Sequence, residues 1–326
     1  MCIRDSYSAV YYLVFNFGRA ALAFLQSDSF LYWPFILSTL LIALAVSRRR
    51  VLRDFLAKGI WGHASARADY RLYFANALVL PLVFGWLMFG DAQVGALVDA
   101  VLGRKALAAP QAGWPLRAAY TVAFFLAYDF GRFVAHCLLH DVPVLWEFHK
   151  VHHSAEVLTP ITAYRVHPVD LLVMAWVPAA LTGLVTWAFN ALSGGAVGFY
   201  TFLGLHVALW ALNLVDNLRH SHVWLTYGPV VGRWLVSPAH HQLHHSCEPE
   251  HIGCNRGFSM TLWDRLYGTL RMPRAEAQTF RMGLGDGTDS GWHTVRAMYL
   301  RPFAGCLLYT SPSPRDRTRS RMPSSA

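Results

Sequence analysis

Five stretches of this chain, each about eighteen to twenty residues long, are almost free of charged side chains. They are 30–47, 73–90, 118–135, 171–190 and 196–215. A helix of that length crosses the hydrocarbon core of a bilayer. Residues 7–25 are a weaker sixth candidate, interrupted by Arg19. Because 55% of the residues are hydrophobic and 14% are charged, we expect an all-α fold, an integral-membrane helical bundle of about five or six spans.

A buried core helix is the alternative for any one stretch, above all for 118–135, which contains Asp129 and Arg132. Basic residues predict the orientation. Seven Lys and Arg residues stand against two Asp in 48–72, and the positive-inside rule makes this stretch a cytoplasmic loop. Counting spans onward places 136–169 and 216–305 on the same side. We therefore expect a cytoplasmic histidine-rich helical cap on the membrane bundle.

Twelve of the sixteen histidines lie in two short stretches, 136–153 and 220–251. The pattern H-x-x-H-H occurs twice, at 149–153 and at 241–245. On a helix, residues three and four apart share a face, so each pattern aligns its imidazoles. A neutral imidazole is a common metal ligand. The clustered histidines outnumber the four ligands of one structural zinc. The number favours a site for two metal ions.

The sequence around these histidines resembles the integral-membrane fatty acid hydroxylase and sterol desaturase superfamily, in particular its bacterial-type members. The similar segments are DFGRFVAHCLLH from Asp129, LWEFHKVHHSAEVLTPITAYRVHP from Leu145, NLRHSHVWLTYGPVVGRWLVSPAHHQLHHS from Asn217 and WDRLYGTL from Trp263. The resemblance implies a membrane-bound non-haem di-iron oxidoreductase. Such an enzyme uses O2 and external electrons to hydroxylate or desaturate a C–H bond of a lipid, whether sterol, fatty acyl, sphingoid or related.

The resemblance also implies the ligands of the two irons. They are His136, His140, His149, His152, His153, His220, His222, His241, His244 and His245. His222 stands where the family usually has asparagine, so it either replaces that residue or shares the ligand role. His206 and His240 stay open between a ligand and a structural role. Asp129 is the carboxylate that we expect to accept a hydrogen bond from the second ring nitrogen of His136, because it lies two helical turns before that residue on the same face.

The resemblance suggests the division of the chain. Residues 7–115 hold N-terminal membrane spans with the basic cytoplasmic loop, 116–272 a fatty acid hydroxylase-like catalytic domain, and 273–305 a C-terminal extension. Residues 1–6 and 306–326 resemble translated sequencing adapters and are expected not to be natural protein. Between them, three cysteines remain, which gives no disulfide framework.

Electrons must come from another protein, because the sequence has no dinucleotide-binding glycine motif, haem-attachment motif or ferredoxin cysteine run. The expected partners are a membrane lipid substrate, O2 and an external electron donor of cytochrome or ferredoxin type with its reductase, and no nucleic acid. Two other classes remain open: a membrane carrier of electrons on b-type haem, and a zinc-dependent membrane hydrolase or metal transporter.

Overall fold

The computed structural model describes residues 15–57, 59–83, 87, 89–102 and 112–310. These residues are mainly helical and include one short antiparallel hairpin, β1 (Thr201–Phe202) with β2 (Leu205–His206). The longer helices are α1 (Trp33–Ala57), α2 (Ala64–Val83), α3 (Asp91–Leu102), α4 (Trp114–Asp141), α5 (Pro143–His153), α6 (Pro168–Ser193), α7 (Val207–Asp216) and α11 (Val295–Thr310). Three short helices lie between the last two: α8 (Gly228–Val231), α9 (Pro238–His244) and α10 (Leu262–Tyr267). The expectation of a helical protein is therefore confirmed.

Helices α4 and α6 are the two in the described part of the chain that are long and apolar enough to cross a membrane. Their 28 and 26 residues correspond to roughly 42 and 39 Å, more than the ~30 Å of a hydrocarbon core. They pack directly against each other. Gly131 allows this approach, since a Cβ there would lie 2.5 Å from the Cα of Pro178.

The prediction that 196–215 forms one span is wrong. Leu203 and Gly204 both have positive φ, at 48° and 82°, and form the two-residue turn of the β1–β2 hairpin, a geometry that tight hairpins require. Helix α7 begins only after this hairpin and has ten residues. An apolar stretch therefore became a hairpin and a short helix, because its glycines permit a turn.

The other expected spans differ in extent from the structure. The apolar part of α1 is Trp33–Val46, about 21 Å of helix, and α2 ends at Val83. Residues 84–86 and 88 of the 73–90 stretch, and 7–14 of the 7–25 stretch, lie outside the described residues. So do 1–6 and 311–326, and the interpretation of both chain ends as adapter sequence stays a prediction.

The basic stretch 48–72 is not a loop. Residues 48–57 continue α1 and residues 64–72 begin α2, so the connection between the two helices is short. Alternating charged and apolar residues suit a helix that leaves the apolar layer, and charge counting alone does not distinguish such a helix from a loop. The side of the membrane on which this stretch lies stays a prediction.

The remaining long helices pack on the central pair or on each other. Helix α3 packs on α6, where Trp187 Nε1 donates to Asp99 Oδ1 at 2.7 Å. Helix α7 packs on α1, where Ser38 Oγ donates to the carbonyl of Leu214 at 2.7 Å. Helix α11 packs on α5. The result is a bundle whose α4–α5 corner, at residues 141–143, carries the first two histidine motifs.

Candidate metal centre

Nine histidines from four segments meet beside the α4–α5 corner; eight are buried and His241 is half-buried. They come from the end of α4, from α5, from the loop after α7 and from α9 with its C-cap. One group is His136, His140, His149, His153 and His244, and the other is His152, His220, His241 and His245. Within each group, one nitrogen from every ring lies within 4.8 Å of the others. Two compact sets of imidazole donors result.

The two groups adjoin each other through neighbouring residues of the chain. His152 and His153 are consecutive but belong to different groups, and so are His244 and His245. The rings of His153 and His245 stack across the boundary, with centroids 4.8 Å apart and planes 26° apart. The geometry is therefore that of a double site and not of two separate ones.

Within the groups, Nε2 atoms face each other at hydrogen-bond distance. His140 Nε2 lies 3.2 Å from His136 Nε2 and 3.3 Å from His244 Nε2. In the second group, His241 Nε2 lies 3.0 Å from His220 Nε2. Converging ring nitrogens in a buried site suit a shared cation better than a chain of hydrogen bonds, because each neutral ring has one N–H to donate.

The Nε2 atoms of His149 and His153 are buried and have no hydrogen-bond partner in the described part of the chain. Buried polar atoms in folded proteins are nearly always paired. Both atoms belong to rings of the first group. The donor set and these two atoms fit a metal ion bound by imidazoles.

The opposite nitrogens of four rings are fixed by acceptors outside the groups. His149 Nδ1 lies 2.7 Å from Asp170 Oδ2, which belongs to the first turn of α6. Backbone carbonyls serve the other three: Arg256 for His136 (2.8 Å), Cys254 for His244 (2.8 Å) and Arg165 for His152 (3.3 Å). A ring that donates from Nδ1 presents the lone pair of Nε2 to the centre, the arrangement found around metal-bound histidine.

Burial also keeps several imidazole rings of the two groups uncharged. It lowers the pKa of His152 and of His244 to about 3, and the neighbouring imidazoles contribute further to both shifts. Burial likewise lowers the pKa of His153, His220 and His245 well below the ordinary value. At neutral pH these side chains are therefore free bases, the protonation state that binds metal.

Asp129 does not contact His136. Its carboxylate instead accepts hydrogen bonds from the backbone N–H of Ser259 (2.7 Å) and of Met260 (3.1 Å), and from Trp263 Nε1 (2.8 Å). Two helical turns separate residues 129 and 136 by about 10 Å, too far for a carboxylate to reach the ring. The expectation of direct contact is thus wrong, and Asp129 acts on the segment that supplies the carbonyl for His136.

That segment, residues 254–263, is held from its other side by Asp264. The Asp264 carboxylate accepts from the backbone N–H of Arg256 (2.7 Å) and of Gly257 (2.8 Å) and is fully buried. Gly257 must be glycine, because a Cβ there would lie 2.6 Å from Asp264 Oδ2. Two buried carboxylates therefore position the carbonyls of Cys254 and Arg256. The role of backbone acceptors has no signature in the sequence.

Arg165 is a second feature that the sequence did not predict in detail, although it lies in the Arg-x-His-Pro motif. Its fully buried guanidinium pairs with Asp69 at 2.7 Å. It also donates to the carbonyl of Val151 (2.8 Å) and to Ser154 Oγ (2.8 Å). Since these two residues flank His152 and His153, Arg165 fixes the end of α5.

His222, His240 and His206 lie outside both groups, although His222 was among the expected ligands. His240 Nδ1 accepts from the backbone N–H of Ser237 at 3.1 Å and completes the capping box of α9. His206 caps α7, and its Nε2 donates to the carbonyl of Thr121 at 3.0 Å. The last two rings thus have structural roles at helix starts.

The fold and the buried histidines define a helical protein with a double imidazole site next to two apolar helices. Residues 121–269 match the sequence model of the fatty acid hydroxylase family. The Delta(7)-sterol 5(6)-desaturase of Gibberella zeae is 32% identical over 164 residues, which are 50% of this chain and 45% of that protein. The ornithine lipid hydroxylase of Rhizobium tropici is 31% identical over 169 residues, 51% of this chain and 46% of that protein.

Human cholesterol 25-hydroxylase is 30% identical over 156 residues, 47% of this chain and 52% of that protein. The chain thus spans about half the length of these relatives. No solved structure is significantly similar to it. The matches support the fatty acid hydroxylase and sterol desaturase superfamily that the motifs indicated. The relatives are oxidoreductases of lipids, and together with α4 and α6 they indicate a membrane protein.

Proposed function

We propose that this protein is a membrane-bound non-haem di-iron oxidoreductase that hydroxylates or desaturates a C–H bond of a lipid. One observation carries the proposal: five and four imidazoles form two adjoining groups inside the protein, joined by the consecutive pairs His152–His153 and His244–His245. The similarity to lipid hydroxylases and to a sterol desaturase supports this chemistry.

Iron held by these histidines would supply the activation of O2 and the oxidation of an unactivated C–H bond. Hydroxylation consumes O2, two electrons and two protons and yields an alcohol and one water. Desaturation consumes the same reactants and yields a double bond and two waters. Both reactions need an external electron donor of cytochrome or ferredoxin type, since no motif for a redox cofactor occurs in the sequence.

The protein's own residues prepare the site for this reaction. Asp170 and the carbonyls of Arg165, Cys254 and Arg256 orient four of the rings. Burial lowers the pKa of His152, His153, His220, His244 and His245 and so keeps these five rings neutral. Among the described residues, both groups consist of histidine alone. This donor set differs from the Glu and Glu-x-x-His ligands of soluble di-iron bundles. Burial also excludes bulk water, which protects an oxidising site from side reactions.

The tight grouping favours separate metal ions over a b-type haem. Two axial histidines must leave the porphyrin plane free between them, whereas the first group brings nitrogens of five rings within 4.8 Å of one another. We further propose, as the sequence suggests, that the substrate is a sterol, fatty acyl, sphingoid or related lipid and that the site opens on the cytoplasmic face of a bacterial inner membrane.

The test is expression of the full chain in a host with a compatible reductase, followed by mass spectrometry of the lipids. We expect a lipid species with one added oxygen or with two hydrogens fewer. A His149→Ala variant should lose this product, and a His63→Ala variant, which changes a histidine outside both groups, should keep it. If cells that express the unsubstituted chain have the same lipid profile as cells that express His149→Ala, the proposal is contradicted for the host lipids. A purified protein that holds haem or zinc alone contradicts the proposal altogether.

A further inference from the structure

An exposed apolar patch lies on the same side of the protein as the histidine groups. It consists of Val230, Val231, Trp234, Leu266 and Tyr267, and we call it the α8–α10 patch. Val230 and Leu266 are each 74% exposed and Trp234 is 53% exposed. The Arg265 guanidinium lies 5.0 Å from the Trp234 ring, so the parts of the patch from α8 and from α10 are neighbours. Contiguous apolar surface of this kind indicates a binding partner.

The position of the patch along α4 identifies that partner. On α10, the Trp263 ring packs 4.8 Å from Phe130 and the Tyr267 ring 5.7 Å from Phe133. Trp114, at the other end of α4, is 74% exposed. Trp114 and Phe133 are separated by nineteen residue steps along α4, about 28 Å of helix, close to the ~30 Å thickness of a hydrocarbon core. If Trp114 marks one membrane interface, the patch therefore lies at the other.

Polar groups around Tyr267 show which end of the patch faces water. The Tyr267 hydroxyl donates to Asp141 Oδ2 at 2.9 Å, and Asp141 also pairs with Arg256 at 2.6 Å. Asp141 is the last residue of α4, so the tyrosine points its polar tip away from the apolar length of that helix. Tyrosine and tryptophan with one wet and one apolar end are typical of membrane interfaces.

The patch is continuous with the apolar side of α4, where Phe130 is partly exposed. Its charged neighbours Arg233 and Arg265 are exposed, whereas Asp129 and Asp264 are fully buried and the exposed Asp141, beside Tyr267, is neutralised by its ion pair with Arg256. The rim of the patch is therefore cationic. Cationic side chains beside interfacial aromatic residues suit the phosphate groups of lipids.

We propose that the α8–α10 patch is inserted into the leaflet on the histidine side, with Arg233 and Arg265 at the lipid phosphates. The proposal rests on α4 and α6 crossing the membrane and not on the oxidation chemistry. Helix α9, which carries His241 and His244, lies between α8 and α10 in the chain. The inserted patch then holds this helix at a set depth relative to the lipids of one leaflet, and those lipids are the ones that can reach the centre.

The experiment measures the depth of nitroxide labels in the full-length protein, reconstituted in vesicles of three parts phosphatidylcholine and one part phosphatidylglycerol. Single labels are placed with Val230→Cys and Leu266→Cys. Leu184→Cys, at an exposed apolar position near the middle of α6, is the membrane control, and Glu276→Cys, at an exposed position of the C-terminal extension, is the aqueous control. The unsubstituted chain, labelled in parallel, gives the background from the native cysteines.

We expect the labels at 230 and 266 to be more accessible to O2 than to a water-soluble nickel complex, at a depth of about 5–10 Å below the phosphates. Accessibility to nickel equal to that of the Glu276→Cys label overturns the proposal. Protection from both reagents, with dipolar coupling between labels, also overturns it, because the patch then contacts a second protein. Neither result depends on turnover, so failure of this proposal is distinguishable from failure of the proposed function.

Discussion

His149 donates from Nδ1 to the Asp170 carboxylate at 2.7 Å, and both side chains are almost completely buried. This is the one carboxylate–imidazole contact of the centre in the described part of the chain. It joins the middle of α5 to the first turn of α6 and leaves His149 Nε2 directed at the first group.

Replacing Asp170 should therefore weaken metal binding. An Asp170→Asn variant keeps the size but loses the charge, and we expect the affinity for ferrous iron to fall about 10–100-fold, the usual effect of removing such a partner. Iron content after dialysis against a graded chelator measures this. Asp99→Asn, which also changes a carboxylate in a hydrogen bond but on α3, is the matched control. Equal iron retention in both variants would refute the role of Asp170.

Asp129 and Asp264 should stabilise the 254–263 segment together. Each single change to Asn leaves buried N–H groups poorly paired, at a cost of about 1–3 kcal/mol in the free energy of unfolding. Thermal melting in detergent measures the stability, and iron content measures the effect on the centre. Because both residues hold one segment, the double variant should lose less free energy of unfolding than the two single variants lose together. Strict additivity would mean that the two residues act independently.

The Arg165–Asp69 pair should be essential for stability. Removing the guanidinium in Arg165→Met leaves a buried carboxylate without its cation, which costs about 3–5 kcal/mol. The double variant Arg165→Met with Asp69→Asn should recover part of that loss, because no uncompensated charge remains. Chemical or thermal unfolding in detergent checks both. An Arg165→Met variant as stable as the natural chain would contradict this account of how the end of α5 is held.

The metal-free protein should lose stability in acid. The pKa of His152 and of His244 is lowered to about 3 in the folded state, below the ~6.5 of an unfolded histidine. The unfolded chain therefore binds more protons between these values, and stability that is present above pH ~6.5 decreases as the pH falls toward 3. A melting temperature that falls between pH 7 and pH 5 is expected, whereas an unchanged one would contradict neutral buried rings.

The sequence predicted all nine histidines of the two groups. Six of them stand in the two H-x-x-H-H patterns, which place imidazoles on one helix face, and the resemblance to the hydroxylase superfamily implied the full set, including His136, His140 and His220. It did not separate His222 from them, since a loop has no periodicity that shows where a ring points. The carbonyls of Cys254 and Arg256 were not predictable either, because every residue has one. Asp69 and Arg165 are 96 residues apart, and no local pattern links them.

The sequence located the apolar stretches better than it predicted which of them form a single long helix. Hydropathy recognises α4 and α6, which stay helical although Gly131 lies in α4 and Pro178 in α6. It does not register that Leu203 and Gly204 form a hairpin turn, because a turn depends on two φ angles and not on polarity. Charge counting likewise interpreted 48–72 as a loop, although it is mostly helix.

Metal stoichiometry distinguishes a double site from a single one. We expect two non-haem irons per chain in the purified protein, measured by elemental analysis and Mössbauer spectroscopy. Substitution in one group (His153→Ala) or in the other (His245→Ala) should reduce this number, while the His63→Ala control should not. A protein that binds one metal ion, or zinc in place of iron under iron-replete expression, or that keeps two irons in both variants, would contradict this expectation.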